Sequence, residues 1–250
     1  MITGAASGIG RGLAMAFAQQ RAALVLLDRS HAALQEVAQE LSDLTGVWAH
    51  TCDLSSDTDV ATMVQQLAAV HMLVQVLVNY AGVEYPTPLV DTAQDANQRW
   101  AKLLDNNVTS MARLTRALLP QLVCGASIIN QSSIWGHTGV ADFSAYVASK
   151  HAVVGLTRAL AWELGPRHIR VNAVCPGWIR TDAAIASLRS MAQTQGRSQV
   201  DVEREILAQQ ALPGMLSPDD IAGVYLFLAS DGSRSMTGQS LAASHGEVML

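Results

Sequence analysis

Lysine is almost missing from this chain of 250 residues. Only Lys102 and Lys150 carry an ammonium, and arginine supplies nearly all other positive charge, so a cation whose pKa can be tuned is scarce. The arginines are scattered and the formal net charge is −5. No basic stripe results, which argues against nucleic acid or an anionic membrane as a principal partner. Cys52, Cys124 and Cys175 are few, odd in number and far apart, so neither a disulfide framework nor a metal site is predicted, and a reducing compartment is expected. Long hydrophobic runs are also missing: the stretch from Leu67 to Val78 is interrupted by His71 and Gln75 and is too short to span a bilayer. The start of the chain has no charged region leading into an apolar run, so no signal peptide is read and the cytoplasm is the expected location. Half of the residues are hydrophobic, enough for a substantial core.

Near the start, Thr3-Gly4-Ala5-Ala6-Ser7-Gly8-Ile9-Gly10 runs into an apolar helical pattern through Leu13, Met15, Ala16 and Phe17. Glycines at 4, 8 and 10 let a backbone turn tightly and approach a pyrophosphate at a helix N-terminus, and Ser7 and Ile9 lie within that turn. A glycine cluster alone is as well explained by a plain turn. Ala22 to Leu27, however, reads as a buried strand, and Asp28 closes it eighteen residues after Gly10. That spacing places a carboxylate against the adenosine ribose of a dinucleotide, where it bonds the hydroxyls and repels a 2′-phosphate, so NAD is favoured over NADP. Arg29, its neighbour, weakens that preference. Only Met1 and Ile2 precede Thr3, so the strand feeding the turn is either short or begins upstream.

Strands and helices then alternate. Ser30 can cap a helix through Leu34, Val37 and Leu41, and Gly46 to Cys52 reads as a strand closed by Asp53-Leu54. Asp53 is either an acceptor for an adenine amino group or the N-cap of the Ser55 to Ala69 helix. Met72 to Val78 is a buried strand ending in Asn79-Tyr80-Ala81-Gly82, a small-residue loop of the kind that meets ligands in an open parallel sheet. A helical region follows near Asp91 to Leu119, then a strand at Ala126 to Gln131, a helix to Leu164 and a strand at Ile169 to Cys175. Ser217-Pro218-Asp219-Asp220 is a strong helix start, opening a helix expected to pack against another subunit.

Tyr146 and Lys150 are four apart in a segment of helical spacing, which puts an ammonium beside a phenol on one face. A free tyrosine titrates near pH 10 and needs a nearby cation to act as a base at neutral pH; lowering its pKa by roughly three units takes about 4 kcal/mol. Ser133, thirteen residues earlier, can hold a carbonyl or alcohol oxygen while Tyr146 moves the proton. For the tetrapeptide alone a surface helix pair is the plainer explanation.

Taken together, Thr3-Gly4-x-x-x-Gly8-x-Gly10, Asp53, Asn79-x-Ala81-Gly82, Asn107, Ser133, Tyr146-x-x-x-Lys150 and Pro176-Gly177 occur in the order and spacing of one family, and from end to end the chain resembles a short-chain dehydrogenase/reductase. The resemblance implies an α/β fold: a single-domain, Rossmann-type, doubly wound parallel sheet with helices on both faces. It implies a tetrad of Asn107, Ser133, Tyr146 and Lys150, in which the serine holds the substrate oxygen and the tyrosine is the acid/base. The lysine binds the nicotinamide ribose and lowers the tyrosine pKa, and the asparagine holds a relay water. It also implies dinucleotide contacts from Gly4, Ser7, Gly8, Ile9, Gly10, Asp28, Arg29, Asp53, Leu54, Asn79, Ala81, Gly82, Tyr146, Lys150, Pro176, Gly177, Ile179 and Thr181, and a homotetramer. Two departures stand out. Tyr80 replaces the usual second asparagine, which is expected to alter packing near the adenosine without touching chemistry. Ser244-His245-Gly246 replaces the expected Asp-Gly-Gly.

Substrate contacts are expected from Glu84, Trp135, His137, Phe143, Trp178 and His245. Trp135 and Trp178 serve as apolar walls, and Arg180, Arg189 and Arg197 as readers of hydroxyls or a carboxylate. His245 is also readable as a packed or interface histidine, and each other candidate as ordinary core or surface. Residues 181–213 are expected to form a mobile lid. The sequence therefore predicts an NAD-dependent oxidoreductase interconverting a secondary alcohol and a ketone, oxidising a sugar, sugar acid or polyol. The alternatives are an NADPH-dependent ketone or 3-oxoacyl reductase, and a non-catalytic NAD-binding regulator.

Overall fold

Leu24 and Leu26 point to one side of their strand and Val25 and Leu27 to the other, yet all four are buried. A strand apolar on both faces has to be covered on both faces, and that requirement sets the architecture. A computed structural model describes residues 1–249 and places seven parallel strands in one sheet. These are β1 (Ile2–Thr3), β2 (Leu24–Asp28), β3 (Val47–Thr51), β4 (Val74–Asn79), β5 (Leu122–Gln131), β6 (Arg170–Pro176) and β7 (Ser240–Ala243), in the spatial order β3-β2-β1-β4-β5-β6-β7. Leu24 and Leu26 join a core with α1 (Gly8–Gln19), α2 (His31–Leu41) and α9 (Pro218–Ala229). Val25 and Leu27 join a second core with α3 (Asp57–Ala69), α5 (Ser110–Leu118) and α6 (Ser144–Leu164).

Strand β1 spans two residues here, paired on one side with β2 and on the other with β4; the Met1 nitrogen prolongs the ladder by donating to the Val76 carbonyl at 2.7 Å. The chain reverses direction of winding between β1 and β4, so the carboxyl ends of these two strands open a crevice.

The segment read as one long helix near Asp91 to Leu119 is broken into α4 (Ala96–Leu104), a single π-helical turn at Asp105–Thr109, and α5. The extra residue of a π turn re-aims a side chain, and here it turns Asn107 inward until it is 1 % exposed. Helix α9 begins as expected, with a Ser217–Asp220 capping box and proline in its first turn. Its Ile221, Tyr225 and Leu228 face the core of the same chain, because α9 lies beside α1 over the sheet, while Phe227, 40 % exposed, stands on the outer face where another subunit was expected. Residues α7 (Asp182–Gln195) and α8 (Gln199–Leu207) form a helical pair with its own small core of Leu188, Ala192 and Val202. Strand β7 is the one strand that no periodic run announced.

Candidate active site

Six loops at the carboxyl ends of β1 to β6 build one crevice. At its deep end a cleft of about 320 Å³ is lined by Gly4, Ser7, Gly8, Asp28, Arg29, Asp53, Leu54, Tyr80, Ala81, Gly82 and Thr181, among others. The glycine turn is held by Thr3: its hydroxyl oxygen accepts from the Tyr80 and Ala81 N–H groups at 3.0 and 2.9 Å, tying the loop after β1 to the loop after β4. Gly4 and Gly8 adopt left-handed backbone (φ +64° and +53°), which a side chain would strain. At Gly10 the constraint is contact, since a Cβ there would lie 2.0 Å from the Gly4 carbonyl oxygen. Ser7 precedes α1 in extended conformation and makes no side-chain capping bond, so no side chain of its own occupies the helix N-terminus where a phosphate would sit.

Asp28 stands at the far end of the cleft. Its carboxylate is fixed by two backbone donors, Ala6 N–H at 3.1 Å and Ser30 N–H at 2.9 Å, and each oxygen keeps a lone pair for a ribose hydroxyl. Asp53 was read either as an adenine contact or as a helix cap. It is not the cap: Ser56 caps α3 through Asp59, whereas Asp53 Oδ1 accepts from the Ser55 amide and hydroxyl at 2.9 and 2.7 Å. Those bonds hold the Asp53 carboxyl below the usual carboxylate range. Asn79, expected at the cofactor, is 2 % exposed and bonds instead to Thr115 and Asn130 beneath the crevice.

The reacting groups meet where β4, β5 and α6 converge. Lys150 is 4 % exposed and donates to the Gln131 carbonyl at 3.1 Å, with its ammonium 5.2 Å from the centre of the Tyr146 ring. Its helix turn is fastened by Ser132, whose hydroxyl donates to the Lys150 carbonyl at 2.9 Å, and by Gly136, where a Cβ would come within 2.8 Å of that same carbonyl oxygen. Burial lowers the Lys150 pKa to about 8, against a partial restoring effect of Glu84. The Tyr146 phenol is pushed well above its ordinary value, first by burial and then by the Glu84 carboxylate, while Ser133 acts in the opposite direction. Lys150 together with the positive ring of a bound cofactor was expected to bring the tyrosine down. Among the chain's own groups desolvation dominates, and Glu84 offsets the ammonium, because both charges share the same recess.

A buried cation is a stability cost. The fall of the Lys150 pKa from 10.5 to about 8 corresponds to about 3 kcal/mol that disfavours the folded state while the lysine is charged. Lysine binds its proton more weakly in the folded state, so this penalty is fully present below about pH 8 and fades between that value and 10.5. Lys150→Met should therefore raise Tm at pH 7 by on the order of 5 °C, with a smaller gain at pH 9.5, measured by calorimetry.

Asn107 was expected to hold a relay water. Its carboxamide makes three bonds within the chain: Oδ1 accepts from Val83 N–H at 2.7 Å, while Nδ2 donates to the Val83 carbonyl at 2.9 Å and to Ser149 Oγ at 3.1 Å. The side chain is a clamp that fixes the loop carrying Gly82, Val83 and Glu84 against α6. Thr3, Ser132 and Ser149 are the positioning residues that sequence reading missed, since an isolated serine or threonine gives no periodic or spacing signal.

The substrate candidates separate into two groups. Trp135 lies 5.8 Å from Tyr146, edge to face, and 5.5 Å from Phe143, so these two aromatics wall the reacting phenol, and Glu84 faces it. His137 is depressed by burial and by Arg158 and His151 of α6, which places it toward that helix. Trp178, partly buried, packs against the core of the α7–α8 pair. His245 bonds through Nδ1 to the Gly214 carbonyl at 3.1 Å, tying the C-terminal stretch to the loop before α9. Arg180 and Arg197 are paired with Glu203 and Glu205 of α8. In the nicotinamide-side turn, a Cβ on Gly177 would meet Ser244 at 3.0 Å and Glu247 at 3.1 Å, so the Ser244-His245-Gly246 stretch backs this turn from outside. Ile179 is buried and bridges to Leu216, and Thr181 caps α7 by accepting from Ala184 N–H at 3.2 Å, which leaves its own hydroxyl proton free to donate.

Comparison with known proteins places this arrangement. A family model described as enoyl-(acyl carrier protein) reductase matches residues 4–247. A D-beta-hydroxybutyrate dehydrogenase of Cupriavidus necator is 31 % identical over 243 residues, covering 95 % of this chain and 93 % of the relative. A 3-oxoacyl-(acyl-carrier-protein) reductase of Thermotoga maritima is 32 % identical over 252 residues, covering 100 % and 97 %. The structure of a short-chain type dehydrogenase/reductase from Mycobacterium ulcerans superposes with a TM-score of 0.87 at 27 % identity, covering 98 % of this chain and 87 % of that one.

Proposed function

We propose that this chain, which belongs to the short-chain dehydrogenase/reductase family, is an NAD-dependent dehydrogenase that oxidises a secondary alcohol of a neutral, hydroxyl-rich compound of the sugar or polyol type. The observation that carries the reading is the joint placement of Asp28, fixed by Ala6 and Ser30 in the cleft, and of Lys150 with Tyr146 behind the cleft's Gly82, where an added Cβ would lie 3.9 Å from the Lys150 ammonium. The glycine turn and the uncapped start of α1 fit a diphosphate between them, and Lys150 and Thr181 fit the nicotinamide end. The dinucleotide, when bound, supplies the carbon that accepts hydride. Ser133 holds the substrate hydroxyl oxygen, and Tyr146 removes its proton as the carbonyl forms. With the phenol raised by burial and by Glu84, the positive charge that Lys150 brings is assigned the task of holding the phenolate during that step. Trp135 and Phe143 shield the site from water, and residues 181–213 act as the lid that completes it.

Glu84 supports the choice of a neutral substrate over a sugar acid. A carboxylate that already faces the phenol repels a second one on the carbon beside the reacting centre, and it accepts a hydrogen bond from a hydroxyl there. The second reading, an NADPH-dependent ketone or 3-oxoacyl reductase, is favoured by Arg29 lining the cleft next to Asp28 and by the names of the 3-oxoacyl relatives. The two separate on one substitution. Asp28→Ser should raise the ratio of kcat/KM with NADP to that with NAD by at least about tenfold, because a charge repelling the 2′-phosphate is removed. An unchanged ratio in an otherwise active enzyme would overturn the NAD reading. A homotetramer in the cytoplasm completes the proposal; Trp162 on α6, 87 % exposed, is a residue that such an assembly would cover. Among the described residues no helix is long and apolar enough to cross a membrane.

A further inference from the structure

The side chain of Tyr80 does not stay in the packing around the adenosine. Its ring lies along the inner edge of the glycine turn: a Cβ on Gly10 would stand 2.8 Å from Tyr80 Cδ1, and a Cβ on Gly4 would stand 3.0 Å from the same atom. Further out, a Cβ on Gly8 would stand 3.6 Å from the Tyr80 hydroxyl oxygen and 3.7 Å from Thr181 Cγ2. The hydroxyl therefore emerges between the start of α1 and Thr181, in the lining of the cleft that also holds Asp28. The ring is wedged under backbone that carries no side chains, and Thr3 holds the Tyr80 amide, so the phenol is a fixed part of the wall. Ala81 and Gly82, which follow it, leave the cleft open.

We propose that the Tyr80 hydroxyl is a direct ligand of the dinucleotide's diphosphate, an added donor on the helix N-terminal site. The Ile9 N–H, one of the amides at the start of α1, acts on the phenol oxygen from the helix side. The hydroxyl stands beside Gly8 and Thr181, both of which line the cleft, and a phenol has one proton to give to an oxygen placed there. Burial pushes the Tyr80 pKa up to about 12, so the group remains a donor throughout the working range. A helix N-terminal amide near the phenol oxygen polarises the O–H further toward an anion. The family's usual asparagine is too short to reach from this position along the ring's path to Ile9. The chain has thus placed a hydroxyl between the helix amide and the phosphate oxygens.

The proposal rests on the dinucleotide reading of the cleft, and the test separates the two. Binding of NAD, ADP and adenosine is measured by titration calorimetry on the full chain and on Tyr80→Phe, which keeps the ring and removes the oxygen. The expected result is a loss of about tenfold in affinity for NAD and for ADP, the size of one hydrogen bond to a charged group, with adenosine binding unchanged. Unchanged adenosine binding also certifies that the variant is folded. Equal or tighter binding of ADP by Tyr80→Phe would overturn the role given to Tyr80 while leaving the dinucleotide site standing. A loss of the same size for adenosine would overturn it as well, by tracing the effect to ring packing. If the parent protein bound none of NAD, NADP and ADP, the dinucleotide reading would fall, and Tyr80's role with it.

Discussion

Tyr146→Phe is expected to lower kcat for alcohol oxidation by about 10³-fold while leaving NAD affinity within about twofold of the parent. The substitution removes one oxygen from a ring that Trp135 contacts edge to face and that Lys150 approaches at 5.2 Å, so the packing of the site is retained. Asp28, the glycine turn and Lys150 stay in place, and they carry most of the contact with the dinucleotide in the proposed function. What disappears is the one group positioned to exchange a proton with an alcohol held by Ser133. Steady-state kinetics beside a binding titration checks both halves. Turnover within tenfold of the parent would mean that another residue moves the proton, with Glu84 the first candidate because it faces the same recess. A chain that binds NAD but oxidises and reduces nothing, as parent and variant alike, would point instead to the regulatory reading.

The second large effect concerns architecture. Gly10→Ala should lower Tm by roughly 5–10 °C and weaken dinucleotide binding by at least about tenfold. The added Cβ meets the Gly4 carbonyl oxygen at 2.0 Å, the Gly4 carbonyl carbon at 2.8 Å and the Tyr80 ring at 2.8 Å. Two of these atoms are backbone, and no rotamer relieves them. The turn from Gly4 to Gly8 has to move away from α1, and overpacking of this kind costs about 3 kcal/mol. The same shift disperses the amides aimed at the diphosphate. Gly223→Ala is the matched control: Gly223 is helical, exposed and has nothing within 4 Å of an added Cβ, so it should be neutral or slightly stabilising. Equal effects of the two substitutions would show that the turn at Gly10 has room that the structure does not give it.

Some of the expected residues found their expected places because the rule behind them is local. The glycine turn, Asp28 at a strand end, Tyr146 four before Lys150 and the Ser217–Asp220 capping box each follow from spacing within a few residues or one strand–turn–helix unit. Others moved because their partners are remote. Asn107 was given a water, and its carboxamide also clamps Val83 and Ser149, 24 and 42 residues away along the chain. Asn79 was given a cofactor, but Thr115 and Asn130 hold it under the sheet end. Trp178 was given to the substrate, and one side of its partly buried ring packs on the small core of the α7–α8 pair, a contact no local spacing announces.

The sequence by itself determined the winding order of strands and helices, the anion-binding turn and the pairing of a phenol with one of only two lysines. Those follow from periods of two and 3.6 residues and from glycine's missing side chain, which act over short distances. The tertiary structure alone decided the electrical state of the site. Only when β4, β5 and α6 converge do Glu84, Tyr146 and Lys150 share one recess, where desolvation raises the phenol and depresses the ammonium. Only there, too, does Tyr80 lie along the glycine turn with its hydroxyl at Ile9. Burial and the charges around a group are sums over neighbours from the whole chain, and no spacing within a segment contains them.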